Sequence, residues 1–399
     1  MHQEQDRYLP FDDYRRYGRQ MILDQFGLEG QLSLRKAAVI VIGAGGLGCP
    51  ALQYLVAAGV GRVGIVDHDV VEVSNLQRQI LHSESKVGMN KALSAERALA
   101  QLNSSVEIIT HTCAISADNA VGVLRAFDIV LDCTDNLATR YLLSDTCVVL
   151  NKPLVSGAAQ KYEGQLCTYN YGQDGPCYRC LFPTPPSPEF AGSCAELGIL
   201  GAVTGIVGTL QALEAIKILT GLHEGKPTLL LYSALSLSPF RSIKLRTRRP
   251  TCLACGVQGH KIGSIASTDY VAFCGGPRPD WETLGMVEGS TAHRIKAKDL
   301  DNVMRSHPDT RVIDVRPPTE FGICHLPGSV NIPLAEVVAN PEAQVTSDVK
   351  EVYFICRLGN DSQLAADALR NSVSSVVVKD LIGGLNAWSR DVDPSFPIY

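Results

Sequence analysis

Cysteine is the residue type that indicates chemistry most directly in this sequence, and its spacing separates metal ligands from other thiols. Cys177 with Cys180, and Cys252 with Cys255, form two C-x-x-C pairs. Two such pairs supply the thiolates of a tetrahedral structural Zn²⁺ site. Because the pairs lie far apart in the sequence, the ion would join distant parts of one domain. Unrelated buried thiols are the alternative, and the paired spacing argues against it.

Two other cysteines are candidate nucleophiles. Cys356 lies between a predicted strand and a predicted helix, where backbone amides and the helix N-terminus stabilise a thiolate or a persulphide anion, and Arg357 adds positive charge. Cys194 follows a proline-rich loop, residues 183–193, and a flexible loop near a nucleotide site suits a mobile nucleophile. A buried structural thiol is the alternative for each. The remaining cysteines have no spacing signal, and core packing is expected for most of them: Cys49, Cys113, Cys133, Cys147, Cys167, Cys274 and Cys324.

A glycine pattern indicates a nucleotide site near the N-terminus. Gly43, Gly45 and Gly48 form G-x-G-x-x-G between an apolar strand and a predicted helix. Glycines let the backbone approach phosphates closely, and the helix N-terminus offers free amide donors. Asp67 ends the next predicted strand, where a carboxylate can bind a ribose hydroxyl. Taken alone, this pattern favours a nicotinamide or flavin dinucleotide.

The residues that follow favour a triphosphate instead. Arg78 and Lys91 can neutralise the β- and γ-phosphates, and Asp135, next to Asn136 at a strand end, can hold Mg²⁺. Each has an ordinary explanation, since single cations are usually solvated and an Asp-Asn pair often forms a turn. Their joint occurrence with the SNLQRQ segment, residues 74–79, favours ATP and Mg²⁺.

The pattern of strands and helices predicts the scaffold that positions these residues. Strands are predicted within 36–48, 62–69, 106–112 and 128–136, and helices within 50–59, 91–102 and 201–221. Strands that alternate with helices are typical of a parallel, doubly wound α/β sheet. Residues 153–180 are less regular and indicate a hairpin-like pair of strands.

A second, smaller α/β unit is predicted towards the C-terminus. Strands are expected within 311–316, 351–357 and 375–381, and a helix within 363–371. Residues 259–290 lack clear periodicity and contain CGGPRPDW, which predicts a linker. The predicted organisation is therefore one domain over 1–258, a linker over 259–290 and a second domain over 291–399.

Composition narrows the classes of partner. A formal net charge of −5 argues against direct binding of nucleic acid, which needs a basic surface. The polar N-terminal stretch does not resemble a signal peptide. No apolar run is expected to reach the length of a membrane span, since the longest, Ile199 to Leu210, is interrupted by glycines. A cytoplasmic protein with reduced thiols and no membrane partner is expected.

The nucleotide-site segments together resemble the adenylation domain of the ubiquitin-activating superfamily, which includes the bacterial MoeB and ThiF activators. The resemblance rests on GAGGLG, DHD, SNLQRQ, Lys91, TDN and the early RYGRQ segment, residues 16–20. It implies a Rossmann-like, doubly wound domain with a structural zinc ion, an acyl-accepting Cys194 in a crossover loop, and a homodimer in which Arg19 reaches the partner's nucleotide site. The residues that it implies for ATP and Mg²⁺ are Gly45, Gly46, Asp67, Ser74, Asn75, Leu76, Gln77, Arg78, Lys91, Asp135 and Asn136.

The C-terminal unit resembles rhodanese domains. DVRPPTEFGICHLPGSVNIP, residues 314–333, and GGLNAW, residues 383–388, match signature elements of that family. The loop CRLGNDS, residues 356–362, is similar to that of eukaryotic activators in which an adenylation domain is fused to a rhodanese domain. The resemblance implies a persulphide on Cys356, loaded by an upstream donor such as a cysteine desulphurase.

The combined resemblance implies one function. The chain would adenylate the C-terminal glycine of a ubiquitin-like sulphur carrier that ends in Gly-Gly and then convert it to a thiocarboxylate, for tRNA wobble-uridine thiolation, protein urmylation or molybdopterin synthesis. Cys194 would either form a thioester or reductively cleave an acyl disulphide. Two alternatives remain: a dinucleotide oxidoreductase with a rhodanese appendage, and a silent adaptor that only binds a ubiquitin-like protein. Arg78, Lys91 and Asp135 argue against the first, and the intact Cys356 loop argues against the second.

Overall fold

A computed structural model describes residues 8–186, 198–258, 263–277, 280–345 and 349–399. The chain forms two compact units, and the division in the sequence falls between Pro277 and Arg278. Within the described ranges the first unit holds an eight-stranded sheet and the second a five-stranded sheet.

The first unit alternates strands and helices over its first half. Its strands are β1 (Ala38–Ile42), β2 (Arg62–Val66), β3 (Glu107–His111), β4 (Ile129–Asp132), β5 (Leu154–Gln160), β6 (Glu163–Tyr169), β7 (Thr228–Ser233) and β8 (Phe240–Lys244). Its helices are α1 (Phe11–Met21), α2 (Gly27–Lys36), α3 (Gly48–Ala58), α4 (Lys91–Leu102), α5 (Ala120–Leu124), α6 (Leu137–Val149), α7 (Tyr178–Leu181), α8 (Gly201–Leu219) and α9 (Tyr270–Phe273). Short 3₁₀ helices cover Val73–Asn75, Glu84–Lys86 and Ile265–Ser267.

The strand order is β3-β2-β1-β4-β5-β6-β7-β8. Strands β3 to β5 are parallel, and β6, β7 and β8 continue the sheet in antiparallel pairs. The predicted doubly wound parallel sheet is therefore confirmed. The chain reverses its direction of winding between β1 and β4, and the carboxyl ends of strands at such a point form the usual ligand crevice of open α/β sheets.

Successive residues of β1 explain why helices cover both faces of the sheet. Val39 and Val41 belong to the core cluster that contains the buried residues of α3, whereas Ile40 and Ile42 belong to the cluster that contains those of α6. Side chains alternate between the faces of a strand, so an unbroken apolar strand must be covered on both sides.

Helix α8 corrects one prediction from the sequence. It is 19 residues long and apolar enough, by length and composition, to cross a membrane, although no such run was expected. Its buried side chains include Val203, Val207, Ala212 and Ala215, and Gly208 packs directly against Leu47. Packing in the core of the first unit therefore accounts for part of its apolar composition, since 39% of the apolar stretch is buried. The glycines do not interrupt it: Gly201 and Gly208 face close neighbours where a side chain would not fit, whereas Gly205 has open space beside it.

The second unit is a five-stranded parallel sheet in the order β11-β10-β12-β13-β9. Its strands are β9 (Arg294–Ile295), β10 (Arg311–Asp314), β11 (Val330–Asn331), β12 (Glu351–Ile355) and β13 (Val377–Leu381). Its helices are α10 (Trp281–Gly285), α11 (Ala297–Ser306), α12 (Pro318–Phe321), α13 (Leu334–Ala339), α14 (Asp361–Ser372) and α15 (Gly384–Asp391), with a 3₁₀ helix at Pro341–Gln344. Cys356 follows the central strand β12.

The structure differs from the predicted linker over 259–290. Ile265 and Tyr270 are buried in the core of the first unit, and the Phe273 ring lies 5.0 Å from that of Tyr141 in α6. The stretch from Trp281 forms α10 in the second unit. The apolar residues are too few to show helical periodicity in the sequence, and only their tertiary contacts reveal that they are part of the fold.

The role of residues 265–273 in the first unit can be tested with two substitutions in α9. Tyr270→Ala should destabilise the first unit by about 3 kcal/mol, because it removes a buried aromatic side chain. The measurement is differential scanning calorimetry of the full chain. Val271→Ala in the same helix changes a side chain that is 46% exposed and should leave the transition almost unchanged. Equal, small effects of both substitutions would show that this segment is indeed a linker.

Candidate functional site

The two C-x-x-C pairs come together in the first unit. Cys177 Sγ lies 3.9 Å from Cys180 Sγ and 3.5 Å from Cys252 Sγ, and Cys180 Sγ lies 3.3 Å from Cys255 Sγ. All four sulphur atoms lie within 4.8 Å of one another and all four residues are buried. A tetrahedral zinc ion with Zn–S bonds of about 2.3 Å separates its ligands by roughly 3.8 Å, so this donor set fits Zn²⁺.

The cysteine cluster joins α7 to the segment that follows β8, and a buried ion pair holds α7 in place. Arg179 in α7 donates through Nε to both carboxylate oxygens of Asp145, each at 3.0 Å. Its guanidinium also lies 4.3 Å from the centre of the Phe273 ring. Burial raises the pKa of Asp145, and the bonds from Arg179 oppose that shift. The cluster therefore connects distant parts of the chain on the side of the sheet covered by α6, as a structural metal would.

The glycine loop runs from β1 into α3 over the crevice at the strand ends. Gly43 adopts φ +96°, and a Cβ there would lie 2.8 Å from the carbonyl oxygen of Cys133, so only glycine fits. The next amide, of Ala44, donates to Asp67 Oδ2 at 2.7 Å, and the Asp69 amide donates to Asp67 Oδ1 at 2.9 Å. Burial raises the pKa of Asp67, and these two bonds oppose it. Asp67 thus holds the glycine loop at the carboxyl end of β2.

The sequence contains no indication of the side chains that contact the carbonyl oxygen of Ala44. His82 Nε2 lies 2.9 Å from the Ala44 carbonyl oxygen, and Cys49 Sγ donates to the same oxygen at 3.3 Å. His82 Nδ1 lies 2.8 Å from Ser94 Oγ. Burial lowers the pKa of His82, which keeps the ring neutral, so that it can donate to the carbonyl and accept from the serine. A lone histidine outside any motif offers no sequence signal for this role.

The SNLQRQ segment lines the same crevice with unsatisfied polar atoms. Asn75 Oδ1 and Gln79 Oε1 are buried and have no hydrogen-bond partner among the described residues. Buried polar oxygens are almost always paired, so these two atoms favour a polar ligand at this place. Lys91, which is only 7% exposed, donates to Asp69 Oδ2 at 2.9 Å. Arg78 donates to the Ser74 carbonyl oxygen at 3.1 Å.

The N-terminus of α8 brings the glycine loop and the SNLQRQ segment together. A Cβ on Gly46 would lie 2.8 Å from Thr204 Oγ1, and a Cβ on Gly201 would lie 2.2 Å from the Gln77 carbonyl oxygen. The structure therefore gathers the predicted residues Gly45, Gly46, Asp67, Ser74, Asn75, Leu76, Gln77, Arg78 and Lys91 around one crevice. A nucleotide with its phosphates on the loop amides fits this donor set.

The loop after β4 separates two aspartates that the sequence presents together. Asp132 is fully buried and accepts from Thr134 Oγ1 at 2.7 Å, Arg140 Nε at 2.9 Å and Ser156 Oγ at 2.7 Å. Asp135 is exposed in the same loop, at the crevice side of β4, and the Asn136 side chain caps α6 by accepting from the Thr139 amide at 3.2 Å. Asp132 is therefore structural, whereas Asp135 is exposed at the surface of the loop.

Arg140 and Gln211 hold the backbone of this loop through hydrogen bonds to its carbonyl oxygens. Neither residue belongs to a motif that the sequence reveals. Arg140 donates to the carbonyl oxygens of Thr134 at 3.0 Å and Gly157 at 2.9 Å. Gln211 in α8 donates to the Asp132 carbonyl oxygen at 2.7 Å. The two side chains therefore fix the backbone that presents Asp135.

Arg19 is not among the residues that this arrangement brings together. Arg19 is exposed near the end of α1, a helix that is anchored through Tyr17, whose hydroxyl accepts from Asn103 Nδ2 at 2.8 Å. Cys194 lies outside the described residues. The residues that follow it are described again from Gly198, whose carbonyl oxygen accepts from the Lys161 amide at 3.0 Å.

The second unit surrounds Cys356 with donors. Cys356 Sγ accepts from the Gly359 amide at 3.1 Å and from the Ser362 amide at 3.4 Å, and lies 3.4 Å from Ser362 Oγ. The GGLNAW segment supports this loop, because the Leu385 amide donates to the Cys356 carbonyl oxygen at 2.9 Å. These donors are aimed at negative charge on sulphur, as a thiolate or persulphide requires.

Burial opposes that stabilisation. Cys356 is 2% exposed, and burial raises the pKa of its thiol, while the bonds from Ser362 and Gly359 act in the opposite direction. The donors that were expected to favour the thiolate are present, but the net change in the pKa of the thiol is a rise. Arg357 directs its guanidinium to the Tyr399 ring, 5.8 Å from the ring centre. Tyr399 in turn accepts from Arg316 at 2.6 Å and donates to Glu320 at 2.8 Å.

The other cysteines divide into two groups. Cys49, Cys133, Cys147 and Cys167 are buried, as expected for core packing. Cys113 is exposed, and Cys274 and Cys324 are partly exposed. The described cysteines form no disulphides with one another.

Fold and site together define a two-domain enzyme that combines nucleotidyl transfer with sulphur transfer. The model of the ThiF family matches residues 17–254, and that of the rhodanese-like domain matches residues 296–391. The chain belongs to the ThiF family and carries a C-terminal rhodanese-like domain. It is an adenylyltransferase and a sulphurtransferase.

Relatives with both domains extend over nearly the whole chain. A Drosophila persimilis protein named adenylyltransferase and sulfurtransferase MOCS3 is 48% identical over 397 residues, which are 98% of this chain and 86% of the relative. The Anopheles gambiae protein of the same name is 46% identical over 402 residues, with 97% of this chain and 89% of the relative covered.

Solved structures support the fold of the first unit. Escherichia coli MccB with ATP has a TM-score of 0.52 at 20% identity, covering 62% of this chain and 82% of MccB. MccB with MccA-N7isoASN has a TM-score of 0.54 at 22% identity, covering 60% of this chain and 74% of MccB.

The cysteine cluster predicts a stoichiometric metal. The purified chain should hold about one zinc ion, measured by inductively coupled plasma mass spectrometry, because a closed four-thiolate site binds zinc tightly. Cys252→Ser should lower both the zinc content and the melting temperature of the first unit. Cys113→Ser changes an exposed thiol outside the cluster and is the matched control. A metal-free wild-type protein with an unchanged Cys252→Ser melting temperature would contradict a structural zinc site.

Cys356 predicts a distinct pH dependence. The thiolate is the reactive form, and burial raises the pKa of this thiol above its ordinary value of 9.0. Its alkylation by iodoacetamide, followed by mass spectrometry of the Cys356 peptide, should therefore still accelerate as the pH passes 9. A rate that reaches its plateau near neutral pH would show that the amide donors outweigh burial.

Proposed function

We propose that this chain adenylates the C-terminal carboxylate of a ubiquitin-like sulphur carrier that ends in Gly-Gly and then converts it to a thiocarboxylate. One observation supports the proposal above the others. The same chain holds an ATP-type crevice with unpaired buried oxygens at Asn75 and Gln79 and a cysteine, Cys356, whose sulphur accepts two backbone amides. The crevice suits activation of a carboxylate by ATP, and Cys356 suits delivery of sulphur to the activated carboxylate.

Adenylation begins with the nucleotide in the crevice of the first unit. Loop amides bind the phosphates, and Lys91 and Arg78 neutralise charge on the β- and γ-phosphates. The carrier's carboxylate oxygen attacks the α-phosphorus, and the bond to pyrophosphate breaks. The product is an acyl-adenylate, in which AMP is a good leaving group, whereas the free carboxylate is unreactive.

Mg²⁺ is proposed at Asp135. That side chain is exposed on the crevice side of β4, and Arg140 holds its loop through the Thr134 carbonyl oxygen. When bound, the ion would neutralise phosphate charge as pyrophosphate leaves. Asp132 is excluded from this role because its oxygens accept from Thr134, Arg140 and Ser156.

A homodimer is proposed, with Arg19 in the partner's nucleotide site. Arg19 is exposed near the end of α1, and the residues after that helix include Ile22, 80% exposed, and Leu23, 59% exposed. Adjacent exposed apolar side chains of this kind are common at subunit contacts. The charge of Arg19 would then add to that of Lys91 and Arg78.

Sulphur transfer follows at Cys356. An upstream persulphide donor, such as a cysteine desulphurase, loads this residue, and the terminal sulphur attacks the acyl-adenylate carbonyl and expels AMP. The resulting acyl disulphide links the carrier to Cys356. A second thiol must attack the Cys356 sulphur to release the thiocarboxylate, which leaves a protein disulphide that an external dithiol reduces.

Cys194 is proposed as that second thiol, or as an earlier acyl acceptor that forms a thioester. It lies four residues before Gly198, a distance that an extended chain spans in at most about 14 Å. Gly198 pairs with Lys161, and Gly201 contacts the Gln77 carbonyl oxygen beside the crevice. Both roles need a loop that reaches the acyl group.

The cellular setting is also proposed. The thiocarboxylate would supply sulphur for tRNA wobble-uridine thiolation, protein urmylation or molybdopterin synthesis, in the cytoplasm, with no direct contact to nucleic acid or membrane. The net charge of −5 and the absence of disulphides between described cysteines support this setting. A dinucleotide oxidoreductase is disfavoured by membership of the ThiF family.

Pyrophosphate exchange with a purified carrier ending in Gly-Gly tests the first half-reaction. Wild type should exchange label between pyrophosphate and ATP only when the carrier is present. Asp135→Ala should lower the rate by about a hundredfold, because it removes the proposed Mg²⁺ ligand. Cys356→Ala should leave exchange unchanged and abolish thiocarboxylate formation, measured by mass spectrometry of the carrier.

Two controls separate this function from the alternatives. Asp118→Ala changes an aspartate in the loop before α5 and should leave exchange unchanged. Tight nicotinamide or flavin binding without exchange would support the oxidoreductase. Carrier binding without exchange and without thiocarboxylate formation by wild type would support the silent adaptor.

A further inference from the structure

The residues just before the region matched by the rhodanese-like model pack on the Cys356 loop. That model begins at residue 296, whereas α10 (Trp281–Gly285) lies earlier. The Asn360 side chain donates to the Trp281 carbonyl oxygen at 2.6 Å. A Cβ on Gly285 would lie 1.8 Å from the Leu358 carbonyl oxygen, so the two backbones are in direct contact. A segment outside the family match therefore supports the loop that holds the reactive sulphur.

Arg294 connects this segment to the loop from inside the unit. It is 7% exposed and pairs with the buried Asp380, Nε at 3.0 Å and NH2 at 2.9 Å from Oδ2. The same NH2 group lies 3.0 Å from the Gly359 carbonyl oxygen and 3.1 Å from that of Gly285. One guanidinium thus contacts the Cys356 loop, α10 and the end of strand β13.

Gly359 is the residue through which this contact reaches the sulphur. Its amide is the closest backbone donor to Cys356 Sγ, at 3.1 Å, and its φ of +87° is one that other residues rarely adopt. Its carbonyl oxygen also accepts from Gln363 Nε2 at 2.6 Å. A glycine has many accessible conformations, so fixing its carbonyl oxygen restricts the direction in which its amide points.

We propose that Arg294 is a positioning residue for sulphur transfer. It holds Gly359 so that the amide points at the Cys356 sulphur and stabilises negative charge there. The planar fork of the guanidinium allows one side chain to hold an aspartate and loop carbonyl oxygens together, which the ammonium group of lysine cannot reproduce. The inference rests on the proposed function of Cys356 as the persulphide carrier.

Arg294→Lys in the full chain tests the proposal. It keeps a positive charge beside Asp380 and removes the fork to Gly359. The pH profile of iodoacetamide alkylation at Cys356 should move to higher pH, so that the thiolate fraction near neutral pH falls about tenfold. Transfer of sulphur from thiosulphate to cyanide should show a similar loss in kcat, with little change in KM for thiosulphate. An alkylation profile identical to that of wild type would overturn the proposal.

Two further variants separate positioning from stability. Asp380→Asn weakens the ion pair but leaves the contacts of Arg294 to the loop, so it should lower the melting temperature with a smaller effect on the alkylation profile. An equal displacement of both profiles would overturn the proposal, because it would show a general loosening. Arg305→Lys changes an exposed ion pair with Asp301 in α11 and should behave as wild type.

Gln363→Ala keeps the test decisive if Arg294→Lys does not fold. Gln363 is only partly buried in α14 and holds the same carbonyl oxygen of Gly359. Its loss should move the alkylation profile in the same direction, and an unchanged profile would overturn the proposal. If wild type formed no thiocarboxylate on the carrier, the proposed function would fail, whereas the alkylation profiles would still decide the role of Arg294.

Discussion

Both reactive regions depend on the same interaction, a buried arginine paired with an aspartate. The remaining N–H groups of each arginine donate to backbone carbonyl oxygens of a loop. Arg140 with Asp132 holds the loop after β4, and Arg294 with Asp380 holds the Cys356 loop. Charges leave water at a high cost, which is offset by close geometry and by additional hydrogen bonds to the paired groups. Such a pair therefore specifies one geometry of the backbone around it, and the reacting groups inherit that geometry.

Local signals made much of the fold predictable from the sequence. Strand β1 and the glycine turn after it stand out because Ala38–Ile42 is apolar without interruption and is buried on both faces. Helix α4 was predicted over its exact range because its N-cap, Asn90, and its apolar spacing both lie within the segment. Strand β8 was missed, since all of its residues are exposed and its sequence, FRSIK, has no apolar face to detect. The stretch from Ile265 to Phe273 was missed because its few apolar residues show no pattern in the sequence, and only their packing against α6 and α7 shows that they belong to the core.

The candidate sites divide in the same way. The cysteine pairs, the glycine loop and the Cys356 loop are compact motifs, and the structure gathers each as the spacing indicated. His82, Arg140, Gln211 and Arg294 were not found, because each acts on a backbone carbonyl oxygen remote in sequence. The aspartates of the DCTDN segment look equivalent in the sequence, and only burial separates Asp132 from Asp135. Cys194 lies outside the described residues, so its role stays a prediction.

The reach of Arg294 bears on how such domains can be recombined. A cassette cut at the family boundary, residues 296–391, would retain Cys356 and its helix but would discard α10 and Arg294 at one end and Tyr399 at the other. The excised module would keep every signature residue and lose the groups that orient them. Transfer of this domain to another protein with its loop geometry intact therefore requires the residues on both sides of it as well. The segment before the domain and the sulphur-binding loop are then expected to evolve together.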